Sequence, residues 1–256
     1  MLQAHSILWH YLWLAPHLLQ LALAAWLISR GMRKVFPLFL SYLLYEAIEE
    51  FTLYAMDVLP SVSWETFWRA YCAGLIVECL LIFAVLGELF SHLVRSWPAV
   101  AKLGNRLVSS AGAVLMLLAT MAAALAPIEN PQLAIISRAH VLEQTLFIIQ
   151  SGLILFLFLF AAYFSLNWDR RTFGILLGFG ILSCEHLASW AVMANGFLVD
   201  KRNLLDMANM TTYHLCVLIW FYYFLVPEKN VTTSAVPLPE HNLAVWNREL
   251  ERLLQQ

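Results

Sequence analysis

Charged residues are scarce in this sequence, and those present are not collected into a patch. Asp, Glu, Lys and Arg make up 12% of the 256 residues, against about 25% in a soluble domain. Hydrophobic residues make up 61%, and the mean hydropathy is +0.71. The formal net charge of −2 and the scattered Lys and Arg residues exclude a nucleic-acid partner. The composition predicts an integral membrane protein in a lipid bilayer.

Sequence signatures of thiol, metal and Schiff-base chemistry are also missing. The four cysteines lie inside apolar runs without a CxxC pair, which predicts small buried apolar side chains. No HExxH or ExxH motif occurs, so we assign no metal ligands, and any cofactor stays undefined. The four lysines all fall outside the long apolar runs, whereas a retinal protein needs a lysine within its last span. These lysines are Lys34, Lys102, Lys201 and Lys229.

Seven mostly apolar segments are each long enough to cross a bilayer as a helix, which takes about 20 residues. Short polar segments separate them. The predicted fold is therefore all-α, with a seven-helix transmembrane domain over residues 1–227 and a linker with an amphipathic tail helix over 228–256. The predicted spans are 6–29, 35–59, 67–94, 105–127, 136–166, 173–197 and 204–227.

The distribution of Lys and Arg between alternate loops predicts the orientation of the helices. The first, third and fifth loops carry eight of these residues, and the other loops carry four. Because cytoplasmic loops are enriched in positive charge, we expect the N-terminus outside and the C-terminus in the cytoplasm. Lys201 and Arg202 oppose this orientation. The expected topology is multi-pass.

The C-terminal segment 240–256 predicts a short amphipathic helix. Leu243, Trp246 and Leu250 recur at spacings of three to four, and Arg248 and Glu249 lie on the other side. Such a helix either lies on the inner membrane face or docks against a protein partner. Both alternatives stay open at this point.

An acidic stripe interrupts the second apolar segment. Glu46, Glu49 and Glu50, within 45-YEAIEEF-51, sit at i, i+3 and i+4 and share one helical face. Six acids lie deep in the predicted spans. If each were ionised and faced lipid, their insertion would cost about 15–20 kcal/mol in total. These acids must therefore face the bundle interior, be protonated, or be paired.

Histidine is the only other base at that depth, because every Lys and Arg lies in a loop, in a tail or at a span end. A rise of about 1.5 Å per residue places the acids and histidines in a polar layer from the bilayer middle to its outer third. Intramembrane ionisable residues mark functional sites by default. The layer predicts a cavity that binds a proton, a cation or a small polar ligand, and a purely structural network is the alternative. The predicted cavity residues are Glu46, Glu49, Glu50, Glu78, His140, Glu143, Glu185, His186 and His214.

Several sharper alternatives depend on which of these groups converge. His17, His186 and His214 could join the glutamates in a metal site, and two histidines at matching depth could bind haem. Glu88 and His92, at i and i+4, predict a pair at the cytoplasmic interface. The leading hypothesis is ligand or cation binding and sensing, with output through a partner. An intramembrane metal-dependent enzyme and an accessory subunit of a larger complex are the alternatives.

The glycines of the sixth span predict close helix packing. Gly174 and Gly178 have GxxxG spacing within 173-FGILLGFGIL-182, and such small residues let helix backbones approach in lipid. We expect this packing to be intramolecular.

Five segments carry a resemblance to known sequences, namely WLAPHLLQ (13–20), YEAIEEF (45–51), ELFSHL (88–93), FGILLGFGI (173–181) and WNRELERLL (246–254). By them the chain resembles an uncharacterised group of bacterial seven-helix integral membrane proteins with no established activity. The resemblance implies the seven-span fold and a multi-pass location in a bacterial inner membrane, and it implies no mechanism. In span count alone the chain is also similar to the membrane hydrolases of the alkaline ceramidase and adiponectin receptor type. Their paired histidines on the last span are missing here, where His214 stands alone.

Overall fold

The computed structural model describes residues 6–125, 134–194, 202–226, 247–248 and 251–252. In these ranges the regular structure is helical, which confirms the all-α prediction. Residues 126–133 and 195–201, the linker after Pro227 and most of the tail helix 240–256 lie outside the described residues. The long helices are α1 (Ile7–Ser29), α2 (Pro37–Val58), α3 (Trp64–Leu93), α4 (Pro98–Leu125), α5 (Ala134–Tyr163), α6 (Arg170–Ala194) and α7 (Arg202–Leu225).

Four of these helices are long and apolar enough to span a membrane. They are α1, α3, and the segments Ile135–Tyr163 of α5 and Arg170–Met193 of α6. These helices indicate a membrane protein. Helix α2 is of similar length but carries the acidic stripe. The seven-span topology and the orientation of the termini stay predictions.

Helix α3 contacts four other helices, which are α2, α4, α5 and α6. Helix α1 contacts both α2 and α7, and α7 packs along α6. The helices α1, α2, α3, α5, α6 and α7 therefore form a closed ring of neighbours, with α4 placed against α3 and α5. Side chains that project from these helices towards the centre are shielded on several sides.

An aromatic cluster forms the core where α2, α6 and α7 meet. Phe39, Tyr42, Phe179 and Trp220 are each at most 1% exposed. Phe39 and Trp220 meet edge to face at 5.4 Å between ring centroids, and Phe179 lies 5.3 Å from Trp220. Such aromatic pairs add about 0.5–1.5 kcal/mol each beyond the burial of their area. This cluster fixes α6 and α7 against the start of α2.

The GxxxG segment packs against α7, which confirms the prediction of intramolecular packing. A Cβ atom added at Gly178 would overlap the indole of Trp220, and one at Gly174 would overlap the ring of Tyr223. Trp220 Nε1 also donates to the backbone oxygen of Ile175 at 3.3 Å. The two glycines therefore set the close approach of α6 and α7.

We expect Gly178→Ala to destabilise the protein, and Gly152→Ala on α5 is its matched control. The new methyl group at position 178 would collide with a buried indole, a kind of overpacking that costs about 1–3 kcal/mol. No atom lies within 4 Å of the Cβ position at Gly152, where alanine should gain helix propensity of up to about 1 kcal/mol. Thermal unfolding in detergent should give a lower Tm for the first variant only. Equal Tm values would contradict the close packing of α6 on α7.

The first turn of α2 is capped by a residue from another helix. Helices α1 and α3 have local serine caps, Ser6 and Ser63, but the residue before α2 is Phe36, whose side chain cannot accept a hydrogen bond. Glu88 of α3 supplies the missing acceptor. Its Oε1 accepts from the backbone N–H of Leu38 at 3.1 Å, and its Oε2 accepts from that of Phe39 at 3.0 Å. The carboxylate also meets the positive end of the helix dipole.

His92 lies one turn after Glu88 and binds the same connection. Its Nε2 atom lies 2.8 Å from the backbone oxygen of Val35, so this nitrogen carries the ring proton and donates it. The predicted Glu88 and His92 pair thus contacts the α1–α2 connection and the beginning of α2. Both residues tie the C-terminal end of α3 to the N-terminal end of α2.

We expect Glu88→Ala to lower stability by about 2 kcal/mol, because it removes two hydrogen bonds to a charged acceptor and the cap of α2. Glu65→Ala is the control. Glu65 is an exposed acid whose pair with Arg69 at 2.6 Å is of the i, i+4 surface type, worth about 0.5 kcal/mol. Thermal unfolding followed by circular dichroism measures both. If the two variants shift Tm equally, Glu88 is not the cap of α2.

Candidate functional site

A small cavity lies between α5, α6 and α7, at the end of the bundle away from Glu88. Its volume is about 60 Å³. The lining positions on each helix are adjacent or three to four residues apart, so each helix presents one face to it. Three of the predicted site residues line it, which are His140, Glu143 and His186. The other lining residues are Ser189, Trp190, Met193, Leu205, Asp206 and Asn209.

Glu143 stands between two histidines in this cavity. Its Oε2 lies 3.6 Å from His140 Nδ1, and its Oε1 lies 3.8 Å from His186 Nδ1. The Glu143 side chain is 13% exposed, and the two imidazoles are 25% and 20% exposed. The His186 ring stacks on Phe147 with centroids 3.8 Å apart, and the His140 ring meets Trp190 at 5.1 Å. Aromatic contacts therefore hold both imidazoles around one carboxylate.

Glu185 lies beside this cavity and is bound by neutral donors. The Ser189 hydroxyl donates to Glu185 Oε1 at 2.7 Å. A hydroxyl has only one proton, so Asn209 of α7 presents its amide nitrogen to Ser189 Oγ at 3.0 Å and also to the Glu185 carboxylate. A carboxyl, a hydroxyl and an amide thus join α6 to α7. Ser189 and Asn209 both line the cavity, so their hydrogen bonds connect Glu185 to it.

The acidic stripe of α2 faces α1 and α3. Glu50 Oε2 accepts from the indole Nε1 of Trp13 at 2.7 Å. Glu49 lies directly over Gly74 of α3, where an added Cβ would overlap its carboxylate oxygen. The Tyr45 hydroxyl donates to the backbone oxygen of Gly74 at 3.1 Å. The glycine therefore makes the room in which a carboxylate of α2 lies against α3.

Glu46 belongs to a buried polar group at the contact of α1, α2 and α7. It is 7% exposed and interacts with the Tyr213 hydroxyl. That hydroxyl donates to Gln20 Oε1 at 3.0 Å, and His17 Nδ1 lies 3.1 Å from the same oxygen. Gln20 is fully buried, and within the described residues Gln20 Nε2 and Glu46 Oε2 have no hydrogen-bond partner. A buried polar atom without a partner costs about 1–3 kcal/mol, so these two atoms lower the stability of the bundle.

Tyr71 and Glu78 of α3 lie between the two polar groups. Tyr71 interacts electrostatically with both Glu143 and Glu78. Glu78 interacts electrostatically with Glu49, Glu50 and Glu143. A chain of interacting carboxyl and hydroxyl groups therefore runs from the cavity on α5 to the acidic stripe on α2.

Most of the predicted residues belong to these connected polar groups, and His214 does not. The His214 ring lies 5.9 Å from that of Tyr11 on α1, and its Nδ1 has no hydrogen-bond partner among the described residues. It does not line the cavity of Glu143. Residues that we did not predict also contribute directly, among them Trp13, Gln20, Ser189 and Asp206. Gln20 could have been found, because it lies one turn after His17 on the same face of an otherwise apolar helix.

Neither the arrangement of possible metal ligands nor similarity to known proteins assigns a function to these groups. Among residues 6–125, 134–194 and 202–226, no group of three His, Cys, Asp or Glu side chains converges in a way that could hold a metal ion. No protein-family model, curated protein or solved structure matches the chain. Membership of the bacterial seven-helix group stays a prediction.

Proposed function

We propose that this chain is a seven-span protein of a bacterial inner membrane that binds a small cation or a proton at Glu143. Its N-terminus lies outside and its C-terminus lies in the cytoplasm. The observation that carries the proposal is the convergence of polar side chains from three helices on one cavity of about 60 Å³. The chain senses the occupancy of this site and passes it to a protein partner.

The size of the cavity restricts the ligand. Pockets for drug-sized molecules have volumes of about 300–1,000 Å³. A water molecule needs about 10–15 Å³ by a comparable measure, so the cavity holds a few waters or one small ion. An organic solute would need the helices to separate.

The charges around the cavity favour a cation over an anion. Glu143 and Asp206 line it, and Glu185 is one hydrogen bond away. Among the described residues that line it there is no Lys or Arg. With two histidines beside one carboxylate, a proton can be shared by three groups. A hydrated monovalent or divalent ion satisfies the same acceptors without three direct ligands.

A change in the occupancy of Glu143 can be transmitted through α3 to the other end of the bundle. Glu143 interacts with Tyr71 and Glu78 on α3, and α3 continues to the Glu88 cap of α2. Helix α4 packs on both α3 and α5. The backbone N–H of Ala99, at the start of α4, donates to Asn247 Oδ1 of the tail at 3.0 Å. The segment 240–256, anchored at this point, is the proposed contact for the partner.

The proposed orientation predicts which loops an impermeant maleimide reaches in intact cells. With the four native cysteines replaced, Ser61→Cys lies in the exposed α2–α3 connection and should label from outside. Lys34→Cys, in the exposed α1–α2 connection, should label only after lysis. The opposite pattern would reverse the topology. Labelling of both positions from one side would mean that α2 does not span the membrane.

The cation proposal predicts that Glu143→Gln abolishes a ligand-dependent rise in Tm. Purified protein is titrated separately with Na⁺, K⁺, Mg²⁺, Ca²⁺ and Zn²⁺ at fixed ionic strength, and then with acid between pH 5 and 8. A ligand at 100 times its Kd stabilises the folded state by about 2.7 kcal/mol. Trp190 lines the cavity, so tryptophan fluorescence gives a second, local signal.

Glu65→Gln is the matched control, because Glu65 is exposed, pairs with Arg69 on the surface of α3 and does not line the cavity. It should retain the full response. If one of the five ions acts and pH does not, the ligand is that ion. If only pH acts, the ligand is the proton. If wild type and Glu143→Gln respond equally to every titration, the proposal is wrong.

A further inference from the structure

A larger cavity of about 540 Å³ lies at the opposite end of α3, beside the start of α2. It is separate from the Glu143 site in place and in chemistry. Its first part is apolar and its second part is polar. The lining residues, in this order, are Leu38, Phe83, Ala84, Gly87, Glu88, Ser91, His92 and Arg95.

The apolar part of this cavity continues an exposed apolar face of α3. Val77 and Leu80 are 40% and 52% exposed, and they precede Ala84 and Gly87 at helical spacings of three and four. Ala84 has a small side chain and Gly87 has none, so a channel stays open along this face. In a spanning helix such a face is covered by acyl chains.

The polar part of the cavity carries an unbalanced positive charge. Both oxygens of Glu88 accept from the backbone of α2, whose helix dipole compensates the carboxylate. The Ser91 hydroxyl donates to the backbone oxygen of Gly87 at 3.0 Å. Arg95 is exposed, just past the end of α3 at Leu93, and no carboxylate of the described chain pairs with it.

The distance between the two parts suits an amphipathic molecule. Twelve residues separate Phe83 from Arg95, which is about 18 Å along a helix. Arg95 lies at the end of a spanning helix, where phosphate headgroups of a bilayer are found. A guanidinium binds phosphate through two parallel hydrogen bonds.

We propose that this groove binds one phospholipid with a net negative headgroup. Arg95 binds its phosphate, with His92 beside it, and an acyl chain lies along Gly87, Ala84 and Phe83. The inference rests on the membrane topology of the proposed function and does not depend on the cation site. The bound lipid contacts the residues that cap α2, so it stabilises the junction of α2 and α3.

The test uses full-length protein stripped of lipid in detergent and titrated with phosphatidylglycerol or phosphatidylcholine of equal chain length. Native mass spectrometry counts the bound lipid, and Tm reports stabilisation. Wild type should bind phosphatidylglycerol more tightly by roughly fivefold, the contribution of one basic residue near an anionic lipid. Arg95→Gln should lose this preference and still bind both lipids.

Two further variants complete the test. Arg33→Gln changes an exposed arginine of the α1–α2 connection that does not line the groove, and should keep the preference. Gly87→Leu fills the channel and should weaken binding of both lipids. Equal preference in wild type and Arg95→Gln would overturn the proposal. Inorganic phosphate that reproduces the whole Tm shift of phosphatidylglycerol would also overturn it, since the site would then bind a soluble anion.

Discussion

The burial of carboxyl groups among apolar helices is the constraint on which the rest of the structure depends. The donors found are neutral groups: the Trp13 indole for Glu50, the Ser189 hydroxyl for Glu185 and two backbone N–H groups for Glu88. Each bond joins two different helices or two turns of one helix that faces a neighbour. A bundle whose outer surface is apolar is thus held in register from inside by directional contacts.

These contacts differ in how completely they satisfy the acid. Glu88 has a donor for each oxygen, which is the pattern of a structural cap. Glu143 faces two imidazoles at distances too long for a direct hydrogen bond, in a cavity with room for a ligand. Glu46 keeps an oxygen without a partner in the described chain. Full satisfaction is the pattern of an architectural contact, and incomplete satisfaction beside a cavity is the feature on which the proposed binding site rests.

The sequence was sufficient for the helices and for the placement of the acids, but not for their individual roles. The predicted segment 173–197 corresponds to α6. The close packing at Gly174 and Gly178 could be predicted because the GxxxG spacing lies within this one helix. The role of Glu88 could not be predicted, because its partners are about 50 residues away on the start of α2. His214 shares the depth of the other histidines, yet it faces α1. Depth follows from residue counting, whereas the direction of a side chain depends on how the helix is rotated against its neighbours.

The capping of α2 from α3 has a consequence for how the protein is made. In the proposed topology α2 would enter the bilayer before α3 has been synthesised, with three carboxyl groups on one stripe and with no side-chain acceptor at its first turn. Its acceptor for that turn, Glu88, and its glycine partner, Gly74, both come from α3. Helix α2 is therefore expected to insert poorly on its own and to insert well as one half of a hairpin with α3. In that topology these contacts predict an order of biogenesis in which α2 is retained at the translocon until α3 emerges and the two helices enter the lipid together.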